Sequence, residues 1–188
     1  MKRIAIVALT VSLGLPAFAA PETYVVDGTH TFPSFSYTHL GFSTQQSRFD
    51  KTTGKITIDR AAKTGSLDVS IDAKSVNTGV DVFNGHLRGE DYFNVEKFPV
   101  ITFKSSNFKF DGDKPATING DLTIKGITKP VTLAVTSFNC APHPFTKKEV
   151  CGANASTRIK RSEFNAGKNA PAVSDEVTLN IAVEAIKE

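Results

Sequence analysis

Cys140 and Cys151 are the only two thiols in the 188-residue chain, and ten residues, Pro142 and Pro144 among them, separate them. Thiols at this spacing can join as a disulfide, stay free, or begin a metal site with His143 between them. Zinc is normally held by four ligands at short, regular spacings, and no further Cys or His lies close by. In an oxidising compartment the disulfide is the expected state. Closing so short a loop would stabilise the fold by roughly 2 to 3 kcal/mol. The four histidines, His30, His39, His86 and His143, offer no pair at i, i+2 or i, i+4, so no metal site is expected. The chain has no Gly-x-Ser-x-Gly elbow, phosphate-binding glycine loop or dinucleotide fingerprint, and no cofactor is expected. Because a catalytic group of residues can be assembled by folding alone, an enzyme acting on a lipid head group stays as the remote alternative.

Fourteen Phe and three Tyr, with no Trp, are a large aromatic supply for this length. Phe35, Tyr37, Phe42, Phe49, Phe83, Tyr92, Phe93, Phe103 and Phe164 fall on alternating or lid-like segments. Such residues either fill a core or line a pocket. A lined pocket would gain about 0.8 kcal/mol for each CH₂ group of an aliphatic ligand that it removes from water. A dozen such groups suffice for tight binding even after the costs of association. The polar end of such a ligand would then need few partners. His39, at the end of the face carrying Phe35 and Tyr37, and Arg161, after a strand over residues 157–160, are the candidates at the mouth. Their alternatives are a hydrogen-bonded structural histidine and an ordinary ion pair. The alternative for the whole set is a barrel plugged by its own side chains, serving as a structural or interaction module.

These residues have to be positioned by strands. Leu67, Val69 and Ile71 alternate with Asp68, Ser70 and Asp72, and Val177, Leu179, Ile181 and Val183 alternate with polar neighbours. Ile101 with Phe103, Leu122 with Ile124, and Val131 with Leu133 and Val135 repeat the pattern. Period-two alternation of this kind marks half-buried antiparallel strands. Turn residues interrupt it at Thr52-Thr53-Gly54, Ala62-Lys63-Thr64-Gly65, Asp111-Gly112-Asp113, Lys125-Gly126 and the Lys129-Pro130 step. About eight or nine strands result. Closing an eight-stranded sheet removes its edges and leaves an interior wide enough for side chains or one small ligand. Residues 77–94 break the pattern: Val82, Phe83, Leu87 and Phe93 stand at nearly helical spacing, which predicts a short helix or lid, although Gly85 and Gly89 each weaken a helix by about 1 kcal/mol. Residues 166–174 read as a loop.

The N-terminus carries Lys2 and Arg3, an apolar run, Pro16 and Ala17-Phe18-Ala19. This pattern predicts a secretory signal peptide over residues 1–19 and export to the periplasm. Its apolar run is shorter than the roughly 20 residues a membrane span requires, so a spanning protein is not expected. The remaining residues, 20–188, suit a single domain. The formal charge of +3 includes Lys2 and Arg3, which leaves the remainder nearly neutral and makes nucleic acid a poor partner.

Several stretches together resemble the YceI family. They are His30-Thr31-Phe32 through Phe35 to His39, Ser75-Val76-Asn77-Thr78-Gly79, His86-Leu87-Arg88 with Asp91-Tyr92-Phe93-Asn94, and Phe98-Pro99-Val100-Ile101-Thr102-Phe103. The run from Gly120-Asp121-Leu122 to Lys129-Pro130-Val131 follows, then Arg161-Ser162-Glu163-Phe164 and Val173-Ser174-Asp175-Glu176-Val177. The resemblance implies an extended eight-stranded, lipocalin-like all-β barrel in the periplasm, often a homodimer. It also implies a long amphiphile held inside, such as a polyisoprenoid, a quinone precursor or a fatty amide, and no catalytic residue. Carried over motif by motif, it points to Phe35, Phe93, Phe103 and Phe164 as lining residues; Phe42, Phe49 and Phe83 come from the pattern alone. Two features depart from the family: Asn165 stands where Gly commonly follows the aromatic of Arg-x-x-Phe, and the Cys140–Cys151 loop is longer than the usual hairpin, which suggests a cap or contact surface there.

Overall fold

Wherever turn residues bound an alternating run, that run forms a strand in the computed structural model, which describes residues 20–188. The expected signal peptide, residues 1–19, lies outside the described residues. The strands are β1 (Glu22–Val26), β2 (Ser34–His39), β3 (Ser43–Phe49), β4 (Thr52–Asp59), β5 (Thr64–Asp72), β6 (Val76–Asn77) and β7 (Val100–Asp111). They continue with β8 (Lys114–Ile124), β9 (Ile127–Pro142), β10 (Glu149–Lys160) and β11 (Glu176–Lys187), and one helix, α1 (Asp81–Arg88), precedes β7.

Eight strands close a ring in the order β1-β4-β5-β7-β8-β9-β10-β11, with β11 returning to β1 through Tyr24–Lys187 and Val26–Ala185 pairs. All pairings are antiparallel. The remaining three strands prolong the wall beyond β1, β4 and β5. β11 pairs with β1 near its C-terminal end and with β2 at Thr178 to Asn180, and β2, β3 and β6 then pair in turn. Each prolongation is separated from its parent by a local break. Between β1 and β2 the Asp27 carboxylate accepts from the Thr29 backbone N–H and lies 2.8 Å from His30 Nδ1, an Asx-type turn. Between β5 and β6 the chain makes one 3₁₀ turn, Ala73–Ser75, whose Lys74 N–H is capped by Asp72 at 2.9 Å.

The break between β3 and β4 corrects the turn expected at Thr52-Thr53-Gly54. Those residues are already strand, in register with Ile71, Ser70 and Val69. Gly54 is present because its backbone approaches β5 so closely that a Cβ would lie 2.5 Å from the Asp68 carbonyl oxygen. The bend falls instead at Asp50 and Lys51, and it resets the alternation: Ser47 and Phe49 face inward before it, Thr52, Ile56 and Ile58 after it. Pro130 is also strand rather than turn, paired with Asp121. Over residues 127–133 strand β9 pairs only with β8, and β10 over residues 157–160 pairs only with β11, so the barrel splits there and Pro130 occupies a local edge. The turn at Lys125 and Gly126 is as expected, both residues having positive φ.

Candidate ligand-binding site

The apolar residues of every alternating run converge on one cavity of about 630 Å³ inside the barrel. Val177, Leu179, Ile181, Val183 and Ala185 of β11 all line it, as do Leu67, Val69 and Ile71, Ile101 and Phe103, Leu122 and Ile124, and Val131, Leu133 and Val135. Several of these inward residues, including Leu67, Val69, Leu179, Ile181 and Val183, are only half-buried. In a filled barrel they would be fully covered; their exposure is exposure to the lumen. The volume falls within the range of pockets that enclose a small lipophile.

The two ends of the cavity differ. At one end Tyr24, Cys151 and Ala185, all buried, pack with Ile56, Phe138 and Cys140 to form a floor. The Cys140–Cys151 disulfide joins directly opposed residues of β9 and β10, so the stretch expected to form a separate cap is the continuation of this hairpin. Its connecting loop is organised by His143 Nδ1, which lies 3.2 Å from both the Phe145 and Thr146 backbone nitrogens. Beneath the floor the Tyr24 hydroxyl, with one proton to give, lies within hydrogen-bond distance of both Glu149 Oε1 and Glu22 Oε2 and accepts from Arg60 at 3.0 Å. Burial and these two carboxylates hold the phenol well above its ordinary range. The hydrogen bond from Lys187, then that from Tyr24, lowers the Glu22 carboxyl.

At the other end α1 lies across the mouth. Asn84, which is buried, accepts from the Thr78 backbone N–H at 2.7 Å and so fixes the start of the helix. Arg88, in its last turn, donates to the carbonyls of Lys74 and Val76, tying the helix to the strand edge at β6. Val80, Phe83, His86 and Leu87 then face the cavity. The following segment drops Phe93 inside, where it meets Phe49 edge-on at 5.3 Å and Phe35 at 6.0 Å between ring centroids. Phe35 in turn stacks on Tyr37 at 6.3 Å. Of the residues expected to line the site, Phe35, Tyr37, His39, Phe49, Phe83, Phe93, Phe103, Phe164 and Arg161 are all brought to this cavity.

Phe42 is the exception and a correction. It is 87% exposed and outside the cavity, because Leu40 and Gly41, both at positive φ, form a tight β2–β3 turn that ends the inward face carrying Phe35, Tyr37 and His39. Arg161 reaches the mouth but is already engaged. Its guanidinium donates to the carbonyls of Ser174, Ala166, Lys168 and Val173 at 2.6 to 2.8 Å, in place of the expected ion pair or head-group contact. It thereby gathers the loop of residues 166–174 around the 3₁₀ turn Arg161–Phe164. Phe164, 1% exposed, sits at the split between β9 and β10, where the lumen and a smaller outer recess both touch it.

The sequence matches the YceI-like domain over residues 24–185. The chain belongs to the YceI family. A curated YceI protein from Escherichia coli O6:H1 is 35% identical over 173 residues, which span 92% of this chain and 90% of that one. Among solved structures, Burkholderia cenocepacia BcnA superposes with a TM-score of 0.73 at 28% identity, covering 85% of this chain and 99% of the other. The Campylobacter jejuni YceI protein gives 0.70 at 30% identity over 80% and 90%. A polyisoprenoid-binding domain from Saccharophagus degradans shares the fold at a TM-score of 0.65 and 20% identity, covering 88% and 98%. Within the YceI pattern, the departure at Asn165 has a simple basis: it takes φ +54°, a left-handed conformation that Asn tolerates and that Gly adopts freely.

Sequence reasoning missed Tyr24, Ser47, Thr52, Ile56, Phe108 and Phe138 of the lining. Ile56 and Ile58 carried the same alternation as other strands and could have been found by it. Ser47 and Thr52 carried no signal, since hydroxyl residues suit either face of a strand.

Proposed function

We propose that this chain is a periplasmic carrier or scavenger that shields a long apolar molecule, such as a polyisoprenoid, a quinone precursor or a fatty amide, in its barrel. The observation that carries the reading is the lumen itself: about 630 Å³ walled by aliphatic and aromatic side chains that remain partly uncovered. Burying a dozen CH₂ groups there supplies on the order of 10 kcal/mol before association costs. The polyisoprenoid-binding domain that shares this fold supports the ligand class. Family and barrel type support binding in place of catalysis. Entry lies at the α1 end, where Phe83 and Val80 flank the cavity and are half-exposed. Export through the N-terminal signal accords with the disulfide, which belongs to an oxidising compartment.

The test is organic extraction of protein purified from the periplasm, followed by mass spectrometry. A stoichiometric lipophile is expected, and adding it back to stripped protein should stabilise by about 2.7 kcal/mol at a hundredfold excess over Kd. Protein without any extractable lipophile whose melting temperature no isoprenoid or fatty amide raises would contradict the proposal. Intact mass of the exported form should correspond to cleavage after Ala19.

A further inference from the structure

One residue of β9 breaks the apolar rhythm of its inward face. Ile127, Val131, Leu133 and Val135 pack toward the barrel interior, and Lys129 shares their parity and pairs with Leu122, which lines the lumen. Directly opposed residues of an antiparallel pair point to the same face, so in a closed wall Lys129 would enter the lumen. It escapes because β9 and β10 have parted beside it: Lys129, half-buried, lines the outer recess of about 320 Å³ and not the lumen. The two compartments adjoin at Val131, Ile159 and Phe164, which border both. The split opens at the Lys125–Gly126 turn, which Lys125 ties to the Glu90 carbonyl just beyond α1, so it is continuous with the mouth.

The cations of the recess differ from those at the mouth. Arg88 and Arg161 donate to backbone carbonyls, Lys125 to the carbonyls of Glu90 and Asn165, and Lys168 to the Asp91 carboxylate. In the recess Arg158 pairs with Glu176 at 3.4 Å, but among the described residues no hydrogen bond or ion pair engages the ammonium of Lys129 or Lys160. Against these two positive charges the recess sets one unpaired carboxylate, that of Glu163. The lumen has no Asp, Glu or Lys among its described lining residues. An anionic group drawn into it would lose its hydration and meet no uncommitted cation. One step outward, past three apolar side chains, it would meet two donors of opposite charge.

We propose that the outer recess between β9 and β10 is a head-group site, in which Lys129 and Lys160 hold the anionic end, phosphate or carboxylate, of an amphiphile whose tail lies in the lumen. The chain passes between the two strands where Phe164 stands, keeping apolar contact with Val131 and Ile159 until it reaches the lysines. Phe164 rides on the 3₁₀ turn that Arg161 ties to the 166–174 loop, so it is the side chain that yields as the chain enters. The inference rests on the carrier reading and narrows its ligand to amphiphiles with anionic heads.

The experiment displaces a fluorescent lipophile from the purified protein with hexadecyl phosphate, palmitate and hexadecanol at neutral pH and low salt. Both anionic probes should compete more strongly than hexadecanol, and added salt should narrow the gap. Lys129→Gln should weaken each anionic probe about fivefold, the size of a half-exposed ion pair, and leave hexadecanol within about twofold. Glu163→Gln should act the other way and tighten both anions. Lys148→Gln, which removes the same charge from the far hairpin loop, should change nothing. Inorganic phosphate alone should displace nothing; displacement by it would make the recess a plain anion site and overturn the proposal. Equal competition by hexadecanol and the anions in the wild type would also overturn it, as would equal losses from Lys129→Gln and Lys148→Gln. So would a Lys129→Gln loss shared by hexadecanol, which would assign the lysine to the fold. Failure of the wild type to bind any of the three chains would instead sink the carrier reading itself.

Discussion

The floor and the mouth of this barrel are built on opposite principles. At the floor Tyr24 is fully buried, a disulfide crosses adjacent strands, and Arg60, Glu22 and Glu149 converge on one phenol while Lys187 holds Glu22. At the mouth β6 is two residues long, the split between β9 and β10 is stopped by one aromatic ring, and Leu40, Phe42, Val80, Val82 and Phe83 stay at least 40% exposed. Both ends close the same eight strands, yet one is cross-linked and the other is held by an arginine and a short helix. Stability is thus concentrated where nothing needs to move, and the weakly held end is the one through which a ligand would pass.

That contrast can be broken by mutation. Tyr24→Ala should lower unfolding free energy by about 4 kcal/mol, whereas Phe83→Ala should stay within about 0.5 kcal/mol. Urea unfolding of both measures the difference, and equal losses would erase the distinction between the ends. Next in size, replacing both Cys140 and Cys151 by Ser should lower stability by about 2 to 3 kcal/mol. Lipid affinity should be preserved, as equilibrium titration of the refolded variant would show. At the mouth, Arg161→Lys cannot reproduce the fork to four carbonyls; a loss of about 1 to 2 kcal/mol is expected, with faster ligand release in stopped-flow displacement as Phe164 loosens.

The smallest effect is in pH. Hydrogen bonds, from Lys187 first at Glu22, from His30 first at Asp27 and from Ser162 first at Asp175, depress all three carboxyls below their ordinary values of 4.5 and 3.8. Groups depressed on folding contribute stability above their unfolded pKa and lose it as pH falls through the folded value, so stability should decline below about pH 4.5. Glu22→Gln should flatten part of that decline in acid melts, and an unchanged slope would remove Glu22 from the floor network. His30 has the opposite sign: Asp27 raises its pKa above 6.5, so its contribution is complete below 6.5 and fades as pH rises through the folded value.

The strands of the barrel were legible because each buries one face, so Val177, Leu179, Ile181 and Val183 could be assigned inward from alternation alone. The helical spacing around Phe83 and Leu87 likewise anticipated α1. What could not be read were the places where parity resets. Ser43-Thr44-Gln45-Gln46 offers no apolar rhythm to follow, and Thr52-Thr53-Gly54 has turn composition although a close backbone approach is what requires its glycine. Phe42 was misassigned by carrying the β2 face past a turn that ends it. Arg161 lines the cavity, but its carbonyl partners come from a loop with no pattern of its own.

In the proposed carrier the lumen accepts an apolar chain from the α1 end. Crystals grown with a long-chain alcohol brominated at its terminal carbon would locate that chain by anomalous scattering. A bromine peak is expected inside the barrel, among Phe103, Leu133 and Ile181. Peaks confined to the outer surface near Phe42 or Phe145, with the lumen filled only by solvent, would contradict it.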